Sequence, residues 1–233
     1  GAWVEALRRD AHSITIGDGT PSIAQIGASF PSVVLGQNAA KYSSQVYSSV
    51  VIGTSAGGSY KTFDSDVIIG KDSKKGSSGG SQVHVGVSAG GDSSGASSVA
   101  IGNTSGSCTG DQTISVGYHS NFGASGSYNI AIGYQALKNS IVGGDNVGIG
   151  KNTFTGSPSS ITNSSAFGSS ATVSGSNQVQ LGNSATTTYA YGAVQGRSDS
   201  RDKADIRDTE LGLDFILALR PVDYKWDMRD DYR

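Results

Sequence analysis

Apolar residues along this chain fall in pairs, separated by one position and closed by glycine. The pattern apolar-x-apolar-Gly reads Ile14-Thr15-Ile16-Gly17, Ala24-Gln25-Ile26-Gly27, Val33-Val34-Leu35-Gly36, Val50-Val51-Ile52-Gly53, Val67-Ile68-Ile69-Gly70 and Val83-His84-Val85-Gly86. It continues as Val99-Ala100-Ile101-Gly102, Ile114-Ser115-Val116-Gly117, Ile130-Ala131-Ile132-Gly133, Val147-Gly148-Ile149-Gly150, Ser165-Ala166-Phe167-Gly168 and Val179-Gln180-Leu181-Gly182, twelve copies in all. From Gly36 onward the closing glycines stand 17, 17, 16, 16, 15, 16, 17, 18 and 14 residues apart. Period-two alternation with β-branched residues predicts a short, half-buried strand, its flanking apolar residues turned toward a core. Glycine after each strand supplies the positive φ of a tight corner. Ser/Gly/Asn stretches such as Ser77-Ser78-Gly79-Gly80-Ser81 supply the turns between.

A fixed period of this length marks a repeat architecture. One unit cannot fold alone. Two or three inward apolar residues gain roughly 1.5–3 kcal/mol apiece, while each ordered residue costs about 1–2 kcal/mol of backbone entropy. Stacking the units satisfies strand hydrogen bonds, and wrapping several chains around the stack widens its core. The predicted fold is all-β: a homotrimeric, intertwined β-solenoid or β-prism fibre of roughly 16-residue repeats. A single-chain solenoid with the same strands is the alternative. Ser98-Val99-Ala100-Ile101-Gly102 and Asn129-Ile130-Ala131-Ile132-Gly133 resemble the head repeats of trimeric autotransporter adhesins, which also occur in phage tail-fibre tips. The resemblance implies an intertwined homotrimer displaying binding surfaces.

Composition supports a low-charge β-rich body and places its end. Of 233 residues 34 are Gly, 15% are charged, and the net charge is -2. Glycine is thus about twice its usual share, without the Gly-X-Y period of collagen. Apolar runs fall far short of the ~20 residues of a transmembrane helix. The first residues, Gly1-Ala2-Trp3-Val4-Glu5-Ala6-Leu7-Arg8-Arg9, hold no signal-peptide core and no initiator Met, which reads as a fragment of a longer chain. A lone cysteine, Cys108, makes no internal disulfide. Near-neutral charge argues against a nucleic-acid partner. Residues 1–196 carry 9 Lys/Arg and 9 Asp/Glu, whereas 197–233 carry 8 and 10. That shift sets a boundary at Gly196–Ser198, so the expected organisation is a connector at 1–12, a repetitive body at 13–196 and a different domain from 197.

Past that boundary, Thr209 is placed to cap a helix running through Leu211, Phe215, Ile216 and Leu219, with Pro221 stopping it. Val222, Tyr224 and Trp226 then alternate as one face of a strand. The stretch Ser198-Asp199-Ser200-Arg201-Asp202-Lys203-Ala204-Asp205-Ile206, with Leu211-Gly212-Leu213 and Leu219-Arg220-Pro221-Val222-Asp223-Tyr224-Lys225-Trp226, strongly resembles the start of the self-cleaving intramolecular chaperone of phage tail fibres, tailspikes and endosialidases. The resemblance implies an α+β chaperone, cut short at Arg233, that trimerises, guides folding of the fibre ahead of it and is released by autoproteolysis. The family's serine–lysine dyad carries over to Ser198 and Lys203 by spacing, with Ser200 a lesser candidate nucleophile. A serine hydroxyl needs a base, and a lysine serves once desolvation lowers its pKa from ~10.4 toward 7–8. Asp202 departs from the family pattern, which has an apolar residue there, and a carboxylate beside Lys203 favours the ammonium form. Attack on the carbonyl of Arg197 passes through a five-membered ring, so cleavage of Arg197–Ser198 is favoured, with Ser198–Asp199 open if the nucleophile works across the trimer.

Other chemistry is sparse. His12, His84 and His119 are isolated, with no His-x-His pair, so no metal site is expected. His84 alternates against Val83 and Val85 and is expected to face away from their core. Asp64, Asp66, Asp92, Asp111 and Asp145 are scattered, and no pair stands out at glycosidase spacing. Gly143-Gly144-Asp145 follows no βα unit, which excludes a phosphate loop. Lys71-Asp72-Ser73-Lys74-Lys75 reads as a solvated turn. The expected protein is the distal region of a phage tail fibre or tailspike, a cofactor-free homotrimer in the virion tail, assembled in the host cytoplasm. Its expected partner is a bacterial surface polysaccharide or outer-membrane protein, at receptor-binding residues the sequence leaves unassigned. The head of a bacterial trimeric adhesin is the alternative. The only enzymatic activity expected is the single-turnover cut by the dyad.

Overall fold

The computed structural model describes residues 7–9, 14–17, 31–43, 45–58, 62–74, 80–91, 95–138, 143–192, 194 and 212–223. The chain divides into two units, residues 1–188 and 189–233.

The first unit is a parallel β-solenoid of three-residue strands. They are β1 (Leu7–Arg9), β2 (Ile14–Ile16), β3 (Val33–Leu35), β4 (Gln45–Tyr47), β5 (Val50–Ile52), β6 (Thr62–Asp64) and β7 (Val67–Ile69). The series continues as β8 (Val83–Val85), β9 (Val99–Ile101), β10 (Ile114–Val116), β11 (Ile130–Ile132), β12 (Val147–Ile149), β13 (Ser165–Phe167) and β14 (Val179–Leu181). Twelve of them form one sheet, in the order β1-β2-β3-β5-β7-β8-β9-β10-β11-β12-β13-β14. Each repeat strand is in register with the next, so that Ile114 lies opposite Ile130 and Val116 opposite Ile132. Eleven of the twelve sequence copies are strands of this sheet; the copy at Ala24–Gly27 lies outside the described residues. At the N-terminal end β1 runs antiparallel to β2, pairing Leu7 with Ile16.

The closing glycines hold the corners. Gly102 has φ +129, and a Cβ there would lie 2.5 Å from the carbonyl oxygen of Gly117, the corresponding corner of the next coil. The corner thus excludes a side chain twice, by backbone conformation and by the coil stacked beside it. A second corner, two residues ahead of β5 and of β7 to β14, also has positive φ but uses Ser48, Ser65, Ser81, Ser97, Gln112, Asp145, Asn163 and Asn177, with Tyr128 ahead of β11. Between that corner and the strand sits a buried polar residue whose side chain accepts from the next coil's backbone. Ser49 Oγ accepts from the Asp66 N–H at 3.0 Å, Asn129 Oδ1 from the Asn146 N–H at 2.9 Å, and Asn146 Oδ1 from the Ser164 N–H at 3.1 Å. These bonds satisfy backbone donors that would otherwise be buried and unpaired.

The alternation expected from sequence is present with its faces exchanged. In β5, β7, β9, β11, β12 and β13 the middle residue is buried and the flanking residues are partly or well exposed. Each strand therefore turns one residue inward, not two. His84, expected outside, is fully buried. The cause is space, because a coil closed by tight corners at both ends of a three-residue strand encloses a single inward position. Ala100, Ser115, Ala131, Gly148 and Ala166 fill it in the later coils.

Two further features were not expected. Strands β4 and β6 form a separate parallel pair carrying Val46 and Phe63 into the interior, where both are fully buried. Lys71–Lys74 is a turn, yet Lys74 is fully buried, so the solvated reading of that segment holds only in part. Lys75 lies outside the described residues.

In the second unit, helix α1 spans Leu213–Ala218, six residues. Gly212 occupies its N-cap position without a side-chain cap bond, and the helix ends at Leu219, whose extended φ and ψ lead into Pro221. Thr209 lies outside the described residues, as do Tyr224 and Trp226 of the expected strand. Leu213, Phe215, Ile216, Leu217 and Leu219 are all exposed, and α1 buries no residue.

Candidate assembly surface and processing segment

The exchanged faces leave a continuous apolar surface. The residues either side of each buried middle position form two rows down the sheet, Val99, Ile114, Ile130 and Val147 in one and Ile101, Val116, Ile132 and Ile149 in the other. Ile101 is 40% exposed, Ile132 38%, Ile149 38% and Leu181 51%. Soluble surfaces seldom expose apolar residues in so long an unbroken series. Covering one such half-exposed side chain is worth on the order of 1 kcal/mol, and the rows repeat that gain with every coil.

Beside these rows lies a short aromatic ladder. Tyr118 and Tyr134 follow the closing glycines of successive coils and stack at 5.3 Å, both partly exposed. His119 stacks on Tyr118 at 4.1 Å and on Phe122 at 4.9 Å. The Lys151 ammonium lies 6.0 Å from the Tyr134 ring.

The polar groups of the body are mostly engaged in the fold. Asp111 Oδ1 accepts from the Ala96 N–H at 2.7 Å, and Asp66 is fully buried against Lys74. Cys108 is buried within reach of Thr113 Oγ1 and Asn121 Nδ2, and burial raises its thiol pKa, so it is a structural residue. Among the described residues no three His, Cys, Asp or Glu side chains gather as a metal would require. Among the same residues no helix is long and apolar enough to cross a membrane.

Ser198 and Lys203 lie outside the described residues, together with Arg197, Asp199, Ser200 and Asp202. Their chemistry rests on sequence. Residues 198–233 match the family described as chaperone of endosialidase. The match begins at Ser198, the serine of the candidate dyad, and takes in α1. This C-terminal segment is thus similar to an intramolecular chaperone of a family linked to phage tail proteins. No curated protein and no solved structure matches the chain.

Proposed function

We propose that this chain is the distal region of a phage tail fibre or tailspike, which binds a bacterial surface as a homotrimer and is assembled by a C-terminal chaperone released by self-cleavage. The observation that carries this reading is the chaperone match at 198–233, which follows in sequence a β-solenoid whose sheet presents half-exposed aliphatic rows. In this reading the rows of three copies face one another, and the chaperone brings the copies together before they close. The dyad then acts once: Lys203, desolvated by folding, takes the proton of Ser198, which attacks the Arg197 carbonyl. The receptor is a surface polysaccharide or outer-membrane protein, met by the outward turns and the Tyr118–Tyr134 ladder.

Light scattering on the purified body is expected to give three times the 23.7 kDa protomer, less any released segment. Ile132→Asp, which places a charge in the proposed junction, is expected to yield monomers. A monodisperse wild-type monomer would overturn the trimer. A seam of aliphatic rows that must part along its whole length unfolds slowly, so the wild-type trimer is expected to persist in unheated SDS. Intact-mass spectrometry of the natural precursor tests processing, with both Ser198→Ala and Lys203→Ala expected to stay uncut while still trimerising. Normal cutting in Ser198→Ala ends the dyad assignment.

A further inference from the structure

Two columns of the solenoid each contain one anomaly, and the two anomalies touch. In the first column, the buried residue ahead of the strand is Ser32, Ser49, Gln82, Ser98, Thr113, Asn129, Asn146 or Ser164; in the coil of β7 it is Asp66. Asp66 Oδ1 performs the column's task, accepting from the Gln82 N–H at 2.9 Å. Its second oxygen has no counterpart in the serine and threonine coils. In the second column, an interior turn position of positive φ holds Ala40, Gly57, Gly90, Gly106, Asn121, Leu137 and Phe154; in the same coil it holds Lys74, at φ +49. A long charged side chain is thus held in a left-handed conformation and aimed inward, where neutral and mostly small residues otherwise sit. Lys74 Nζ meets Asp66 Oδ2 at 2.6 Å, with both side chains fully buried.

The surroundings are buried and close-fitting. The Phe63 ring lies 5.3 Å from the ammonium. His84, opposite Ile68 in the neighbouring strand, is fully buried with both ring nitrogens lacking a hydrogen-bond partner. Gly90 lies against its ring with no room for a Cβ. The contacted oxygen is one bond from the carboxyl carbon, so the amine and its target atom are held close together in a buried contact. Burial, the larger influence, lowers the Lys74 pKa and so favours the neutral amine, against the opposing pull of Asp66.

We propose that Lys74 and Asp66 condense to an intramolecular isopeptide bond that staples this coil. A proton passes from the Lys74 ammonium to Asp66 Oδ2 across their contact, leaving a neutral amine and a neutral carboxyl. The amine lone pair attacks Cγ, forming the N–Cγ bond and moving the carbonyl π pair onto Oδ1. The nitrogen then gives up a proton to the Oδ2 hydroxyl, which leaves as water while the C=O reforms. One ammonium and one carboxylate become one amide and one water, with no oxidant, reductant or co-reactant. His84 supplies a neutral imidazole in the same interior, able to take a proton on one nitrogen and return one from the other. Oδ1 remains as the amide oxygen, so the Gln82 bond of the column is kept throughout. Reactants fixed in contact and screened from water react as if at ~10⁵–10⁸ M, which is how a fold can drive a condensation that free amines and carboxylates do not undergo.

Mass spectrometry of the purified, unfolded wild-type chain tests this. The expected intact mass is about 18 Da, one water, below that of the sequence. Trypsin is expected to release residues 62–71 joined to residues 72–75, with no cleavage after Lys74. Lys74→Met and Asp66→Ala are expected to show their full sequence masses. A wild-type chain at its full sequence mass overturns the proposal and leaves an ion pair only. So does a loss of one water with peptides 62–71 and 72–74 separate, the mark of simple aspartate dehydration. Neither result bears on the chaperone or on the proposed trimer, which the scattering and cleavage experiments test separately.

Discussion

The two ends of the solenoid fill the same coil from opposite sides. In the N-terminal coils the middle strand position is large, with Val34, Val51, Ile68 and His84, and β4 and β6 add Val46 and Phe63. The facing turn positions are correspondingly small apart from Lys74: Gly57 lies against the Phe63 ring and Gly90 against His84. In the C-terminal coils the strand gives only Ala100, Ser115, Ala131, Gly148 and Ala166, while the turns send in Leu137, Phe154 and Ile161. The backbone ladder is common to both, so the fold demands an interior of fixed volume and is indifferent to which wall supplies it. That freedom lets the N-terminal half hold an ion pair and a histidine while the C-terminal half holds a plain apolar cluster.

What the halves share should be the most costly to break. Gly117→Val puts a side chain at φ +130, and its Cβ would lie 2.5 Å from the Gly133 carbonyl oxygen. Conformational strain of about 1–3 kcal/mol adds to overpacking of about 1–3 kcal/mol, and the neighbour that must yield is backbone. The expected outcome is loss of cooperative unfolding, by circular dichroism, on both sides of the substitution. A variant that unfolds like wild type would show that the stacked corners do not hold the coils together.

Acid should separate the halves. Burial, and secondarily the Lys74 charge, lowers the His84 pKa to about 3, against about 6.5 when unfolded. Between those values the unfolded chain binds more protons, so stability falls as pH drops through 6.5 and keeps falling toward 3. At ~1.4 kcal/mol per unit, moving from pH 6.5 to 4.5 removes roughly 2–3 kcal/mol. Burial is the larger cause, so the effect persists if Lys74 loses its charge to an amide. Hydrogen exchange at pH 7 and 4.5 is expected to show loss of protection around β7 and β8 while β11 and β12 keep theirs. His84→Leu should remove that difference, and equal loss in both halves would refute the assignment to His84.

The repeat, its corners and its stacking were legible because period and glycine position are one-dimensional signals. Which face points inward was not. Alternation defines two faces without naming the buried one, and hydrophobicity pointed to Ile130 and Ile132 over Ala131. The available clue was size, since small middle residues between β-branched neighbours mark a coil too narrow for anything larger. Strands β4 and β6 lack the closing glycine that revealed the others. The Asp66–Lys74 pair was hidden because its residues lie 8 apart, one a scattered acid ahead of a strand and the other in a segment that reads as a solvated turn, and only the coil's closure brings them together. For the C-terminal segment, quoted residues carried a resemblance that the match at 198–233 supports. The geometry of its dyad lies beyond both sequence pattern and described structure.

The smallest expected effect tests whether interior volume is the conserved quantity. Gly148 faces a site supplied from the turns: a Cβ there would lie 2.7 Å from Thr153 Oγ1, 3.1 Å from Leu137 Cγ and 3.4 Å from Phe154 Cδ2. Two of the three contacts are apolar side-chain atoms that can shift, so Gly148→Ala should cost only about 1–3 kcal/mol through overpacking. Leu137→Val alone should cost about 1 kcal/mol by opening space in the same interior, plus about 1–3 kcal/mol of strain from a β-branched residue at φ +52, a term the double variant carries unchanged. Together they restore the volume, moving bulk from the turn to the strand as in the N-terminal coils. Denaturant unfolding of both single variants and the double should therefore show a double-variant loss smaller than the sum of the singles by about 0.5–2 kcal/mol. Strict additivity would mean that the two walls are specified independently.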